Sequence, residues 1–232
     1  MIPCLDEAAI TFERLSDLQH LRETGHELVL ADGGSLDGTP EIARPLVDRL
    51  QTGPRGRAVQ MNLGAKAAHG DVLWFLHLDT QPPPQAAAEV LRGALDGPGW
   101  GGFDVRLDGS DPMYRVIEAM MNLRSRLTGM VTGDQGMFVR RDLFEQVGGF
   151  PEIPLMEDLA ISRRLKRIAP PLRPAGRMLA SSRRWERDGI WRTVLLMWLL
   201  RGAYSLGADP GRLARIYYPA RSYSRRFARK AP

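Results

Sequence analysis

The sequence predicts an α/β protein with a mainly parallel central sheet and helices on both faces. In residues 1–97, short apolar runs alternate with segments whose apolar residues recur at helical spacing, and this alternation is typical of a parallel sheet. After residue 97 the pattern becomes a mixture of strands and longer helices, so we expect an α+β second half added to a βαβ first half. The 232 residues, 44% of them hydrophobic, are enough to bury such a core.

Apolar runs and chain-breaking residues define the elements of the first half. The runs "MIPCL", "HELVLA" and "DVLWFLHLD" indicate buried strands. Gly25 suits the C-terminal cap of the first helix and Pro40 the start of the second, whereas Pro45 is unfavourable inside that helix. We predict helices over residues 11–25, 39–50, 56–70 and 82–97.

The second half is less regular. We predict a strand over residues 99–107, a long helix over 111–129, a strand with a short helix within 133–150, and a loop running into a helix within 151–169. We place one domain at residues 1–180 and a basic, helical C-terminal segment packed on it at residues 181–232.

Composition limits the compartment and the partners. Cys4 is the only cysteine, which excludes an internal disulfide and a cysteine-based zinc site. The net charge is +5, and arginines are concentrated after Ser181; such a surface can meet phosphate, an anionic membrane or nucleic acid, or stay solvated. Because Pro3, Asp6 and Glu7 follow Met1 closely, we expect no secretory leader. The run "TVLLMWLL" is far shorter than the ~20 residues of a membrane span.

Asp32 ends a buried strand inside "LVLADGGSLDGT", where a charged group must be paired, solvated or bound to a ligand. A phosphatase with a D-x-D-G-T nucleophile motif is disfavoured, because Ser35 stands at the nucleophile position. A dinucleotide-binding turn is disfavoured too, since the order G-x-G-x-x-G is absent. A third interpretation is that Asp32 accepts hydrogen bonds from a nucleobase, and a fourth is a solvated turn in which Asp37 caps the next helix.

His77 and Asp79 end the strongest strand pattern, and alternation along a strand would make them project together. An imidazole and a carboxylate suit a divalent cation, although a lone histidine is more often a satisfied core residue. Because ligands bind beyond the carboxyl ends of parallel strands, we expect Asp32 and Asp79 to share one cleft. Glu157 and Asp158 open a later helix, where they either complement its dipole or supply a general base.

Five linked motifs resemble those of family 2 glycosyltransferases, in order and spacing, over roughly residues 2 to 170. They are "IPCLDEA", "LADGGSLDGT", "PRGRAVQMNLGAKAAHGDVLWFLHLDT", "GDQGMFVRRDLFEQVGGF" and "MEDLAISRRL". The segments "GDQ", "SSRRWE" and "WRTVLLMW" are similar to those of the bacterial subgroup called rSAM/selenodomain-associated transferase 2. Only Met1 and Ile2 precede Pro3, so we expect a first strand shorter than the family's usual one.

The resemblance implies the GT-A fold and a role for each matched residue. It implies that the protein moves a sugar from a UDP- or GDP-sugar to an unidentified acceptor hydroxyl, with inversion, using Mg²⁺ or Mn²⁺. Asp158 matches the catalytic base and Glu157 lies beside it; Asp79, with His77, matches the metal-binding D-x-D motif. The implied nucleotide-sugar contacts are Pro3, Glu7, Asp32, Arg57 and Asp79, and the implied acceptor or phosphate contacts are Asp134, Gln135, Arg184 and Trp185.

Two alternatives and one open question accompany this interpretation. A nucleotidyltransferase would use the same sheet and metal but attack phosphate, and an inactive nucleotide-sugar binding protein would explain His77 in place of an aspartate. The helix containing "TVLLMWLL" either packs on the core or lies on an anionic bilayer, which would bring a lipid-linked acceptor to Trp185. We expect a cytoplasmic protein, free or at the inner face of the membrane, with no nucleic-acid partner.

Overall fold

The structure is a computed structural model that describes residues 1–218, apart from the side chain of Arg184. The strands are β1 (Ile2–Cys4), β2 (Val29–Asp32), β3 (Arg49–Thr52), β4 (Val72–Trp74), β5 (Thr80–Gln81), β6 (Trp100–Gly101), β7 (Asp104–Leu107), β8 (Phe138–Arg140) and β9 (Arg177–Ala180). The helices are α1 (Ala8–Asp17), α2 (Gln19–Glu23), α3 (Thr39–Ala43), α4 (Arg57–Ala67), α5 (Ala86–Leu95), α6 (Pro112–Thr128), α7 (Arg141–Gln146), α8 (Glu157–Lys166), α9 (Arg183–Asp188), α10 (Ile190–Ser205) and α11 (Pro210–Tyr217).

The first sheet is parallel, in the order β1–β2–β3. Alternate residues of β2 face opposite sides: Leu30 packs in a core with residues of α1, α2 and α3, and Val29 packs in a second core with residues of α4. Helices therefore cover both faces, as the alternation of apolar runs predicted. The register sets Cys4 beside Asp32, so β1 and β2 end together and both lead into the same edge of the sheet.

The second half adds antiparallel pairs, which agrees with its predicted α+β character. Strand β8 lies between β4 and β6 and is antiparallel to both. Strand β9 pairs antiparallel with β5 and parallel with β7. Trp100, Phe103 and Phe138 are completely buried where these sheets meet the helices.

Several predicted boundaries differ from the structure. The helix predicted over residues 39–50 is α3 followed by a 3₁₀ turn (Arg44–Leu46) and strand β3, because Pro45 cannot continue an α-helix. The strand predicted over residues 71–79 is assigned only as far as Trp74, and His77 and Asp79 follow it in irregular structure. The helix predicted over residues 11–25 is divided at Leu18, and Phe12 is 66% exposed rather than part of the core.

The C-terminal helices pack on the segment that begins α8. Leu200 of α10 and Leu213 of α11 are buried against Leu155, Met156 and Leu159. Among residues 1–218, no helix combines the length and the apolar character needed to cross a bilayer. Residues 219–232 of the predicted C-terminal segment lie outside the described residues.

Candidate active site

A cavity of about 580 Å³ lies beyond the carboxyl ends of β1 and β4. Its lining comes from the loop after β1, the start of α4, the chain after β4, the start of α8, and helices α6 and α10. Its polar wall contains most of the residues that the sequence singled out. These are Pro3, Glu7, Arg57, His77, Asp79, Asp134, Glu157, Asp158 and Trp185.

Glu157 and Asp158 occupy the first turn of α8. The preceding Met156 is held in the left-handed region at φ 70° and is buried, so it turns the chain sharply into the helix. Asp158 accepts hydrogen bonds from the backbone N–H groups of Leu159, at 2.8 Å, and Gly133, at 3.3 Å. Glu157 is only 5% exposed and lies 3.8 Å from the guanidinium of Arg57, which begins α4.

Burial dominates the electrostatics of this pair. It raises the pKa of Glu157, and the attraction of Arg57 only partly offsets it. It also raises the pKa of Asp158, against the hydrogen bond from Leu159 and the charge of Arg57. A carboxyl group whose pKa is moved upward in a cavity is suited to proton transfer.

His77 contacts the turn that precedes β8. Its Nδ1 lies 3.1 Å from Oδ1 of Asp134, whose side chain is about half exposed. Its Nε2 is shielded from solvent without a hydrogen-bond partner, and it packs against Gly133 so closely that a methyl group there would collide with it. Nδ1 of His77 thus contacts Asp134 and Nε2 is enclosed against Gly133, so Asp79 is the more accessible of the two predicted metal ligands.

Asp79 presents an accessible carboxylate to the cavity. Its side chain is 45% exposed and lies 3.8 Å from the guanidinium of Arg183, an exposed pair that contributes little to stability. Among the described residues, no group of three His, Cys, Asp or Glu side chains could hold a metal ion. Asp79 can nevertheless be one protein ligand of a cation whose other ligands are phosphate oxygens and water, the arrangement that Mg²⁺ commonly adopts.

Two predicted contacts lie behind the cavity wall. Asp32 is completely buried and accepts hydrogen bonds from the backbone N–H of Gly34 and Ser35 and from the Ser35 hydroxyl, at 2.5–3.0 Å. It does not share the cleft with Asp79, because its carboxylate closes the turn after β2. Gln135 is 1% exposed; its amide donates to the carbonyl of Phe103 and accepts from Ser125 and Thr132, which makes it part of the core rather than an acceptor contact.

Trp185 and Arg184 both lie in α9. The Trp185 ring is partly buried against the core around Tyr114 and Ile117 and also lines the cavity. The predicted contact through the side chain of Arg184 lies outside the described part of the chain.

The sequence prediction missed Arg124, Trp198 and Arg201, which line the cavity from α6 and α10. The signal for Arg124 is its position: it follows Ile117 and Met121 at i+7 and i+3, on the apolar stripe of α6. An arginine inside such a stripe departs from the pattern of a simple packing helix.

The sequence comparison gives the family to which this chain belongs. A sequence model described as Glycosyl transferase family 2 matches residues 1–148, so the chain belongs to that family of transferases. An uncharacterized glycosyltransferase of Mycobacterium tuberculosis, MT1564 in strain CDC 1551 / Oshkosh and Rv1514c in strain ATCC 25618 / H37Rv, is 33% identical over 168 residues. That alignment covers 64% of this chain and 63% of those relatives.

Solved structures share the fold at lower identity. The mannosyltransferase PcManGT from Pyrobaculum calidifontis, in complex with GDP-Man and Mn²⁺, has a TM-score of 0.61 and 20% identity over 93% of this chain and 66% of its own. Glucosyl-3-phosphoglycerate synthase from M. tuberculosis, in complex with Mn²⁺, UDP and glucosyl-3-phosphoglycerate, has a TM-score of 0.55 and 19% identity, covering 74% and 67%. These likenesses confirm the predicted GT-A fold.

Proposed function

We propose that the protein transfers a sugar from a nucleotide-diphosphate sugar to an acceptor hydroxyl with inversion at the anomeric carbon. The observation that carries this proposal is the partly buried Asp158, with its raised pKa, in a cavity that also presents Arg57 and Asp79. Asp158 can accept a proton, Arg57 can stabilise the charge of the diphosphate, and Asp79 can bind a cation that neutralises that charge. Membership of the family supports the same reaction.

The chemical step follows from these groups. The acceptor oxygen forms a bond to the anomeric carbon as the bond from that carbon to the diphosphate breaks. Asp158 takes the hydroxyl proton and becomes neutral, which its raised pKa favours. Arg57 faces the departing nucleoside diphosphate and stabilises its negative charge, and Glu157 holds the guanidinium in place. Holding donor and acceptor in one cavity supplies the orientation.

On the donor side we assign Pro3, Glu7, Arg57 and Asp79 to the nucleotide and its diphosphate. The related structures contain GDP-Man or UDP together with Mn²⁺, which supports a UDP- or GDP-sugar donor and a divalent cation here. When bound, Mg²⁺ or Mn²⁺ would neutralise charge on the diphosphate, with Asp79 as its protein ligand. Asp32 acts indirectly in this proposal, because it holds the turn that follows β2.

The metal assignment has a direct binding test. Calorimetry with UDP and GDP should give higher affinity with Mg²⁺ or Mn²⁺ than with a chelator, and Asp79→Ala should lose that difference. Asp96→Ala is a control with the same loss of charge at an exposed position outside the cavity. Equal nucleotide affinity of the native protein with and without the cation would remove the metal from the proposal.

Incubation with labelled UDP- and GDP-sugars separates the proposal from its alternatives. A glycosyltransferase releases free nucleoside diphosphate, a nucleotidyltransferase forms or consumes pyrophosphate, and an inactive binding protein gives no product. Asp158→Asn should abolish product formation, while Glu152→Gln, an exposed acid in the loop before α8, should not. Pyrophosphate chemistry in the native protein would refute glycosyl transfer.

We also propose that α10 lies on an anionic membrane and that the acceptor is lipid-linked. Trp191, Leu195, Trp198 and Leu199 recur at helical spacing and are 62–67% exposed. Exposed arginines, Arg187 and Arg192 among them, flank this face, and the pairing of apolar and basic residues suits an anionic bilayer. Trp198 belongs both to this face and to the cavity wall, which brings the membrane surface to the site.

Vesicle sedimentation tests the membrane contact. The native protein should sediment with anionic vesicles at low salt and less at moderate salt, and Leu195→Ser/Leu199→Ser should remain in the supernatant. Phe12→Ser changes an equally exposed apolar residue on α1 and should behave as native. Absence of native sedimentation on anionic vesicles, even at low salt, would refute the contact and favour a water-soluble acceptor.

A further inference from the structure

Arg124 differs from the other two arginines of α6. Arg126 pairs with Asp104, and Arg115 lies 3.1 Å from Glu118. All three guanidinium nitrogens of Arg124, by contrast, are shielded from solvent and have no hydrogen-bond partner among the described residues. The Arg124 side chain forms part of the cavity wall, beside Met120 and Met121.

An unpaired charge in such a position is costly. Transfer of a cation out of water is unfavourable unless an opposite charge or hydrogen bonds replace its hydration. Burial lowers the pKa of Arg124, and the carboxylates of Asp158 and Asp134 oppose this change. The two carboxylates are therefore near enough to act on the guanidinium through space, yet neither hydrogen-bonds it.

The position of Arg124 favours the acceptor over the donor. Arg57 and Asp79 lie on loops and helix starts that follow the strands, where we assign the donor diphosphate. Arg124 belongs to α6, and Ile117 and Met121 of that helix pack in the same core as Trp185 and Val194. None of the assigned donor contacts lies on α6.

We propose that Arg124 binds an oxyanion, a phosphate or a carboxylate, carried by the acceptor, and so places the acceptor hydroxyl next to Asp158. The inference rests on the proposed glycosyl transfer and adds the chemical class of the acceptor. The planar guanidinium can donate hydrogen bonds to two oxygens of such a group at once. Because its nitrogens are covered in the free protein, binding includes rotation of the long side chain toward the cavity.

Calorimetry with inorganic phosphate tests the anion site apart from the donor site. The protein is first saturated with UDP or GDP and Mg²⁺, and phosphate is then titrated. Arg124→Gln should bind phosphate at least about tenfold more weakly than native, with nucleotide affinity unchanged. Arg92→Gln removes one exposed arginine of α5 outside the cavity and should match native.

The outcomes distinguish failure of the proposed function from failure of the acceptor anion site alone. If the native protein binds neither nucleotide, the proposed function fails. If nucleotide binds but phosphate affinity is the same in Arg124→Gln and native, only the acceptor anion site is refuted. An equal loss of nucleotide and phosphate affinity in Arg124→Gln would also refute it, because Arg124 would then be a donor contact.

Two further measurements address folding and the source of the anion. Arg124→Met removes the unpaired charge, so the melting temperature of this variant should equal or exceed that of the native protein. Phosphate should no longer raise the melting temperature of the variant. A lower melting temperature together with an intact phosphate response would contradict the site. Labelled product made from lipid or aqueous extracts should bind an anion-exchange resin. Partition into organic solvent identifies a lipid-linked anion and retention in water a soluble one, whereas a neutral product overturns the inference.

Discussion

Leu200 fixes the C-terminal helices to the start of α8, and Leu200→Ala tests how much that contact contributes. Leu200 is completely buried among Leu155, Met156 and Leu213. Removing three carbon groups costs about 2.4 kcal/mol of transfer free energy at about 0.8 kcal/mol each, and the residual cavity brings comparable substitutions to about 2–5 kcal/mol. Met156 directly precedes Glu157 and Asp158. The void left by Leu200→Ala would therefore lie next to the start of α8, which carries both carboxylates.

Leu199→Ala is the matched control, because Leu199 is the neighbouring residue of the same helix and is 67% exposed. We expect Leu200→Ala to lose about 3 kcal/mol of the free energy of unfolding. If that free energy falls by about 3 kcal/mol per M of urea, the midpoint of urea unfolding should be about 1 M lower than that of the native protein. Leu199→Ala should change the free energy of unfolding by about 0.5 kcal/mol or less. Equal effects, or a loss below about 1 kcal/mol for Leu200→Ala, would refute the packing described here.

Three further predictions concern the site. Gln135→Ala leaves buried backbone groups unpaired and should lower the free energy of unfolding by about 1–3 kcal/mol in chemical denaturation, with nucleotide affinity measured on the folded fraction unchanged. Gly133→Ala should displace His77, because the added methyl group meets the imidazole, and should reduce turnover, because the backbone N–H of Gly133 donates to Asp158; turnover equal to native would contradict this. Burial raises the pKa of Glu157 above its ordinary 4.5, so the folded state holds that proton more tightly than the unfolded chain and this carboxyl destabilises the fold as pH rises through the raised pKa. Denaturation between pH 4 and 7 should therefore show that the native protein loses more stability over that range than Glu157→Gln, and parallel curves would contradict the shift.

Much of the fold could be predicted because long, strongly patterned segments depend little on tertiary context. Helices α4, α5, α6 and α8 lie where the apolar spacing placed them, and β2 ends at Asp32 as predicted. The short strand β3 was missed because its residues, Arg49 to Thr52, are largely polar and partly exposed, and only pairing with β2 makes them a strand. Strand β9 was missed because its four residues carry little pattern.

The site was predictable where a side chain follows a strand or opens a helix. Asp79 and Asp158 reach the cavity for that reason. The sequence could not show that Asp32 and Gln135 satisfy their hydrogen bonds within nearby turns, because that depends on backbone geometry. Nor could it show that Arg124 and Asp158, 34 positions apart, act on each other electrostatically.

The central claim is that Asp158 accepts the proton of the attacking hydroxyl, and one comparison tests it most directly. Nucleoside diphosphate release from the UDP- or GDP-sugar that the native protein uses should be measured for Asp158→Asn together with nucleotide affinity. The account predicts kcat at least about a hundredfold lower with donor affinity within about twofold of native, since the amide keeps the shape but cannot take the proton. Native turnover by Asp158→Asn would contradict it.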